Sequence, residues 1–254
     1  MLEILSKIDE TNEGVFAYAI ASVRGNQNLH SFQTNEVMPL ASAAKVAIAY
    51  AVTKLVEAQH LSWEDKLDDV LFDPKEDSNE LYPHLIGRSS IQLGEAIEVM
   101  IACHDSIVAK LIVTCAGGWE KINRLISEKF PSMHVTENPR DDKNIGTVED
   151  LFAMMNQIRS GYERNPFRWS PIIRGLVRQR GENGIVPSHL ISHMTGGLEQ
   201  ALLNIGFIGN YAGEQYIYAI AAKNVPNRSE NTTADMLAKE FIENIYRHLF
   251  CEGN

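Results

Sequence analysis

Residues 38–46 read Met38-Pro39-Leu40-Ala41-Ser42-Ala43-Ala44-Lys45-Val46. A proline and a run of small residues lead into helical apolar spacing, with Ile48, Val52, Leu55 and Val56 at steps of three and four. The spacing predicts a helix beginning at about Ser42. The first turn of a helix has backbone N–H groups without partners, and its dipole favours negative charge. Lys45, one turn later, projects from the same face. An amine so placed can take the serine hydroxyl proton while the helix N-terminus steadies an oxyanion. Taken alone, Ser-x-x-Lys also reads as a helix-capping serine followed by a solvated lysine. The rest of the chain has to decide.

The 254 residues suffice for one large domain or two interleaved ones. Hydrophobic residues at 44% and charged ones at 22% are ordinary for a soluble globular protein. A net charge of −10, from 33 acids and 23 bases, argues against nucleic acid and anionic membranes as partners. A small-molecule substrate remains, and an anionic one could still sit in a local basic pocket. Cys103, Cys115 and Cys251 give no disulfide framework. No Cys/His cluster has zinc-ligand spacing, so neither metal nor cofactor is expected. Met1 to Ile8 is too short and too charged for a signal peptide, and the longest apolar run is far below a membrane span. The expected location is cytoplasmic, or periplasmic or secreted if a leader precedes residue 1. Oligomeric state is not readable.

Upstream of Ser42, residues 2–8 suggest a short amphipathic helix and Val15 to Val23 a strand apolar on both faces, hence covered on both. Gly25-Asn26 signals a hairpin to a second strand near Asn28 to Phe32. Downstream, Leu61 to Pro187 reads as mostly helical, with the acidic run Glu64 to Asp69 as a solvated helix face. A long helical pattern from Ile91 to Val113 is broken at His104-Asp105-Ser106. Gly117-Gly118 precedes a helix from Trp119 to Phe130, and Met133 to Gly146 is a polar loop. Thr147 opens another helix, and Asn165 to Gly184 carries one more, rich in arginine. Leu190 to Thr195, Ala201 to Asn210 and Gln215 to Asn224 are strands, and Asn231 to Phe250 is a closing helix.

Four marks stand in order: Ser42-x-x-Lys45, His104-Asp105-Ser106 ahead of a helix, Gly117-Gly118, and Met194-Thr195-Gly196-Gly197 on the strand after Pro187. With the Arg180-Gly181-Glu182-Asn183-Gly184 turn, this layout resembles the class A β-lactamases and, more broadly, the penicillin-recognising serine acyl-transferases. The resemblance covers nearly the whole chain. It implies an α/β (α+β) fold with a five-stranded antiparallel sheet flanked by helices and an inserted all-helical domain. Residues 1–40 and 187–254 would form the sheet domain and 41–186 the helical one, with the active site at their interface. It implies Ser42 as the acylated nucleophile and Lys45 as its proton acceptor. The N–H groups of Ser42 and Gly197 would form an oxyanion hole beside Gly196, and the Thr195 hydroxyl would meet a substrate carboxylate.

The departures shape the expected chemistry. The second motif of the family is Ser-Asp-Asn. Here His104 takes the place of the serine that hands a proton to the leaving group, a role a histidine of pKa about 6.5 can fill. Asp105 is expected to hold the loop. Ser106 is too short for the substrate-amide contact of the family asparagine. Met194 stands where the third motif has lysine, and His193 beside it points to the opposite side of a strand. Arg174, Arg178 or Arg180 could supply the missing cation. In the loop expected to hold a water-activating glutamate, Glu137 and Asn138 are adjacent rather than spaced, and Lys110 replaces the asparagine that anchors it. Cys103 and His104, about 100° apart on a helix, do not form a thiol–imidazole pair.

The expected activity is therefore hydrolysis of an amide, ester or lactam through an acyl-enzyme on Ser42, without efficient turnover of ordinary penicillins. Two alternatives stay open. One is a binding or sensor protein, non-catalytic or acylated once, and the other is an acyl-transferase in small-molecule biosynthesis.

Overall fold

The computed structural model describes residues 1–24, 28–181 and 183–250. The Gly25-Asn26 turn signal, Glu182 and Cys251 lie outside them. In chain order come α1 (Leu2–Asp9), β1 (Val15–Ser22), β2 (Asn28–Phe32), β3 (Val37–Pro39), α2 (Ala44–Glu57) and β4 (Lys66–Asp68). Then follow α3 (Ser78–Leu81), β5 (Ser90–Gln92), α4 (Leu93–Ala102), α5 (Ser106–Ala116), α6 (Trp119–Ser127) and β6 (Ile145–Thr147). The chain ends with α7 (Val148–Arg164), α8 (Pro166–Arg178), β7 (Ile191–Leu198), β8 (Ala201–Gly209), β9 (Gln215–Lys223) and α9 (Thr233–Phe250).

Both ends of the chain build one antiparallel sheet in the order β2-β1-β9-β8-β7. β1 alternates large and small: Phe16, Tyr18 and Ile20 face α1 and α9, while Ala17 and Ala19 face the helices between the two halves of the sheet. Ala17 pairs with Ala221 and Ala19 with Ala219, a smooth stripe on which α7 lies against β1 and β9. α2 is apolar on almost every side and is buried at its centre, from Ala44 to Thr53. Each fully buried isoleucine, leucine or valine contributes roughly 1.5–3 kcal/mol relative to exposure, so this helix is the natural scaffold for a fixed side chain.

The structure corrects the expected helical reading of 61–187 in three places. Residues 64–69, expected as a solvated helix face, form a turn and β4, in which buried Leu67 alternates with exposed Lys66 and Asp68 and pairs with Ile91 of β5. Ile91 and Gln92 are accordingly strand, and α4 starts at Leu93 through a capping box between Gln92 and Glu95. The loop after Met133 ends in β6, which pairs with β3 immediately ahead of Ser42. Three-residue strands are too short for a period of two to be read from sequence.

On β7, Ile191 faces the terminal helices and Met194 the helical side, so His193 points away from Met194 as expected. The ring is 1% exposed and sits against two glycines: a Cβ on Gly206 would lie 2.8 Å from the His193 Cβ, and one on Gly181 3.0 Å from Cε1. Neither ring nitrogen has a hydrogen-bond partner among the described residues. Burial pushes the imidazole down to about 4, against a smaller opposing pull from Asn204. The folded chain keeps His193 neutral where the unfolded chain binds a proton, so its stability contribution is complete above pH ~6.5 and is lost as pH falls toward 4. His193→Leu should therefore reduce proton uptake on unfolding at pH 5 by about one. Calorimetric unfolding from pH 4 to 7 checks this, and an unchanged pH slope in the variant would contradict it.

Candidate active site

Ser42 lies in a 3-10 turn, Ala41–Ala43, that feeds directly into α2. Ala41 has φ +45°, a left-handed conformation that residues with a Cβ rarely adopt. Asn144, in the loop before β6, holds it there. Its side-chain amide donates to the Ala41 carbonyl at 3.1 Å, and its own carbonyl accepts from the Leu40 N–H at 2.9 Å. Ser42 is half-buried. Neither the turn nor α2 has a side-chain cap, so the capping-serine reading of Ser42 does not hold. The solvated-lysine reading fails as well, because Lys45 is 3% exposed.

Lys45 makes no ion pair within 4.0 Å among the described residues. Burial pulls its amine down to about 8, while Glu76, Asp105 and Asp73 at longer range favour the charged form. Asp105 holds these acids in place, as expected of a structural residue. It is fully buried, caps α5 by accepting from the Val108 N–H at 2.9 Å, and accepts from the Asp73 N–H at 2.9 Å and the Ser78 hydroxyl at 2.7 Å. The Glu76 carboxyl, partly buried in this acidic group, is raised above the usual carboxylate range. Met194 is wholly buried in the helical-side core, so the third-motif position supplies no charge.

His104 follows α4 with φ +57°. Its Nε2 lies 2.8 Å from the Nε2 of Gln179, which also donates to the Arg180 carbonyl and stands 3.2 Å from the Thr195 hydroxyl. This network joins the second motif, the end of α8 and β7. Burial first, then Lys45 and His193, push the His104 imidazole down to about 4. At neutral pH the ring is therefore uncharged, where an ordinary histidine titrates at about 6.5. Cys103 beside it is a buried thiol pushed up to about 12 by desolvation, which suits packing rather than nucleophilic chemistry.

β7 is laid close against the turn that carries Ser42. A Cβ on Gly196 would stand 3.0 Å from the Ala41 Cβ and 3.1 Å from the Ser42 nitrogen, an approach only glycine permits. On Gly197 a Cβ would meet the Arg228 guanidinium at 2.9 Å. Arg228 was not singled out in the sequence. It is bonded to both carboxylate oxygens of Asp235, at 2.9 and 2.6 Å, and to the Leu198 carbonyl at 2.7 Å. Beyond Gly197 opens a cleft of about 900 Å³ walled by Met38, Ile145, Leu198, Arg140, Lys223 and Arg228.

Of the three arginines considered as replacement cations, Arg174 and Arg178 are held by Glu98, the former at 2.8 Å. Arg180 is 62% exposed at the rim, 4.0 Å from Asp77 and 3.8 Å from Glu80. Ser106 is the half-buried first residue of α5 and has no side-chain hydrogen bond among the described residues. Glu137 is exposed and bound to Lys110 at 2.6 Å. Among the described residues no group of three or more His, Cys, Asp or Glu side chains is arranged to hold a metal ion, and no helix is long and apolar enough to cross a membrane.

This architecture has many counterparts among solved structures. PBP-A aligns with a TM-score of 0.77 at 18% identity, over 98% of this chain and 94% of its own. A point mutant of PBP-A, solved as an acyl-enzyme complex with penicillin G, aligns at 0.78 with 18% identity, over 98% of this chain and 95% of its own. TLA-3 extended-spectrum β-lactamase aligns at 0.79 with 16% identity, over 97% and 98%. A class A β-lactamase representative from Bacteroides cellulosilyticus aligns at 0.77 with 17% identity, over 98% and 97%. At such identities the likeness shows the β-lactamase fold. A search of curated proteins finds no match. The model of the β-lactamase enzyme family matches residues 3–249, nearly the entire chain, and the chain belongs to that family.

Proposed function

We propose that the protein acylates itself on Ser42 with an amide, ester or lactam, using the buried Lys45 amine as base. The supporting observation is the burial of Lys45 one turn after the nucleophile, which brings its pKa to about 8. A substantial fraction of the amine is then neutral in mildly alkaline solution, unlike that of an exposed lysine near 10.4. Neutral Lys45 takes the Ser42 hydroxyl proton as the oxygen attacks the substrate carbonyl. The N–H groups of Ser42 and Gly197 hold the oxyanion, and the Lys45 ammonium returns the proton to the leaving nitrogen or oxygen. The cleft would lie between the sheet unit, residues 1–40 and 187–254, and the helical unit, 41–186. His104 and Thr195 act in this scheme by hydrogen bonding, and Ser106 and Gly196 line the nucleophile.

Glu137 is exposed and paired with Lys110, so this carboxylate is not poised to activate water at Ser42. The same pair favours a second reading, a receptor acylated once that turns over slowly. Penicillin G acylates the PBP-A mutant of the same fold, which makes penicillins reasonable probes here.

A fluorescent penicillin or a fluorophosphonate should leave one equivalent of adduct by intact mass, and Ser42→Ala should abolish it. Adduct retained in Ser42→Ala, or none with any acylating probe, would sink the proposal. The acylation rate should rise with pH through about 8, because the deprotonated amine is the active form. A further outcome concerns stability. The folded pKa of Lys45 lies below its unfolded value, so the cost of burying its charge is complete below pH 8 and disappears as pH rises toward ~10.4. Lys45→Met should slow acylation by about 10²–10⁴-fold without lowering the melting temperature at pH 7. A large fall in melting temperature would mean that the ammonium is held by compensating contacts.

A further inference from the structure

We propose that Gln179 is a positioning residue that fixes the tautomer of His104, making the imidazole a neutral Nδ1–H donor instead of a proton relay. Gln179 was not singled out in the sequence. The residue is 5% exposed and ends α8 through its backbone N–H, bonded to the Gly175 carbonyl, while its side chain meets the second motif on one side and β7 on the other.

The Arg180 carbonyl oxygen can only accept a hydrogen bond, so the Gln179 atom bonded to it is the amide nitrogen. That orientation of the amide places the same nitrogen 2.8 Å from His104 Nε2. An amide NH2 group donates and does not accept, so His104 Nε2 must be the acceptor. The ring proton of the neutral imidazole therefore resides on Nδ1, which makes no side-chain hydrogen bond among the described residues. The Gln179 NH2 has two hydrogens, and the Arg180 carbonyl and His104 take them. Thr195, at 3.2 Å, keeps its own hydroxyl proton for another acceptor.

The charged and titratable neighbours act in the same direction. Lys45 on α2 and His193 on β7 both disfavour a cationic His104, and burial disfavours it most. Glu76, Asp73 and Asp105 gather around Lys45 and favour its charge, and Arg180 is turned toward Asp77 and Glu80. With the Nε2 lone pair engaged, His104 cannot pick up a proton without breaking the Gln179 bond. His104 and Thr195 thus present two neutral donors, suited to a carbonyl or carboxylate oxygen of the substrate.

The inference bears on catalysis only through the reading of Ser42 as nucleophile, but the tautomer is a property of the resting protein and can be measured without substrate. Long-range ¹⁵N correlation spectra of histidine-labelled protein report which ring nitrogen is protonated, and His104→Asn assigns the signal. At pH 7, His104 should show protonated Nδ1 and bare Nε2, with a titration midpoint well below the ordinary histidine value. In Gln179→Glu, a carboxylate oxygen replaces the donor, so the proton should move to Nε2 and the midpoint should rise by about one unit or more. Gln179→Met, which keeps the bulk without any donor, should lose the Nδ1–H preference and guards against misfolding of the charged variant. An Nε2–H tautomer in the unmodified protein would overturn the assignment, as would an Nδ1–H tautomer retained in both variants. The same samples treated with a fluorescent penicillin separate the two readings. The expected tautomer without a Ser42 adduct defeats the nucleophile alone, and an adduct with the opposite tautomer defeats the Gln179 assignment alone.

Discussion

An ammonium group with only 3% of its residue exposed is the condition on which the rest of the site depends. Lys45 sits on α2, a helix packed on nearly all sides, and such a position would ordinarily hold an apolar residue. Removing a charged amine from water costs several kcal/mol unless it is paired or gives up its proton. Here three carboxylates act at a distance and none forms an ion pair with it, so the pKa settles near 8 rather than returning to its ordinary value. The same feature that costs stability is what the proposed role of Lys45 as a base beside Ser42 requires.

Several segments hold this arrangement in place, three through a polar side chain facing inward and one through the lack of a side chain. Asp105 gathers the acidic stretch from Asp73 to Ser78 against the head of α5. Asn144 holds the left-handed Ala41 and so aims the turn that carries Ser42. Gly196 lets β7 lie within van der Waals contact of that turn. Gln179 stands between His104 and β7, its amide nitrogen 2.8 Å from the imidazole and 3.2 Å from the Thr195 hydroxyl. Where β-lactamase-like proteins carry a lysine in the third motif, Met194 adds only packing, so Lys45 is the single buried lysine in the described structure.

Much of this was legible in the sequence. The continuous apolar run of β1, the glycine-bearing turns between β7, β8 and β9, and the helical period after Ser42 are long, strongly patterned signals, and each matches an element of the structure. Motif order sets Ser42, Lys45, His104 and Thr195 in one chain-wide arrangement. Other features were not legible because they are set by partners far along the chain. Three-residue strands such as β4 and β6 exist through pairing rather than local propensity. The pKa of His104 is a consequence of burial, which a motif does not encode. Gln179 lay between two arginines in a segment that reads as a polar helix end, and Arg228 in a loop with no motif, so neither carried a signal of its contacts.

The claim that Lys45 is a buried amine of lowered pKa is open to direct observation by titrating its side-chain resonances in ¹³C-lysine-labelled protein, assigned with Lys45→Met. The account predicts one lysine with a midpoint of about 8. A protein in which every lysine titrates above pH ~10, near the ordinary value, would contradict it.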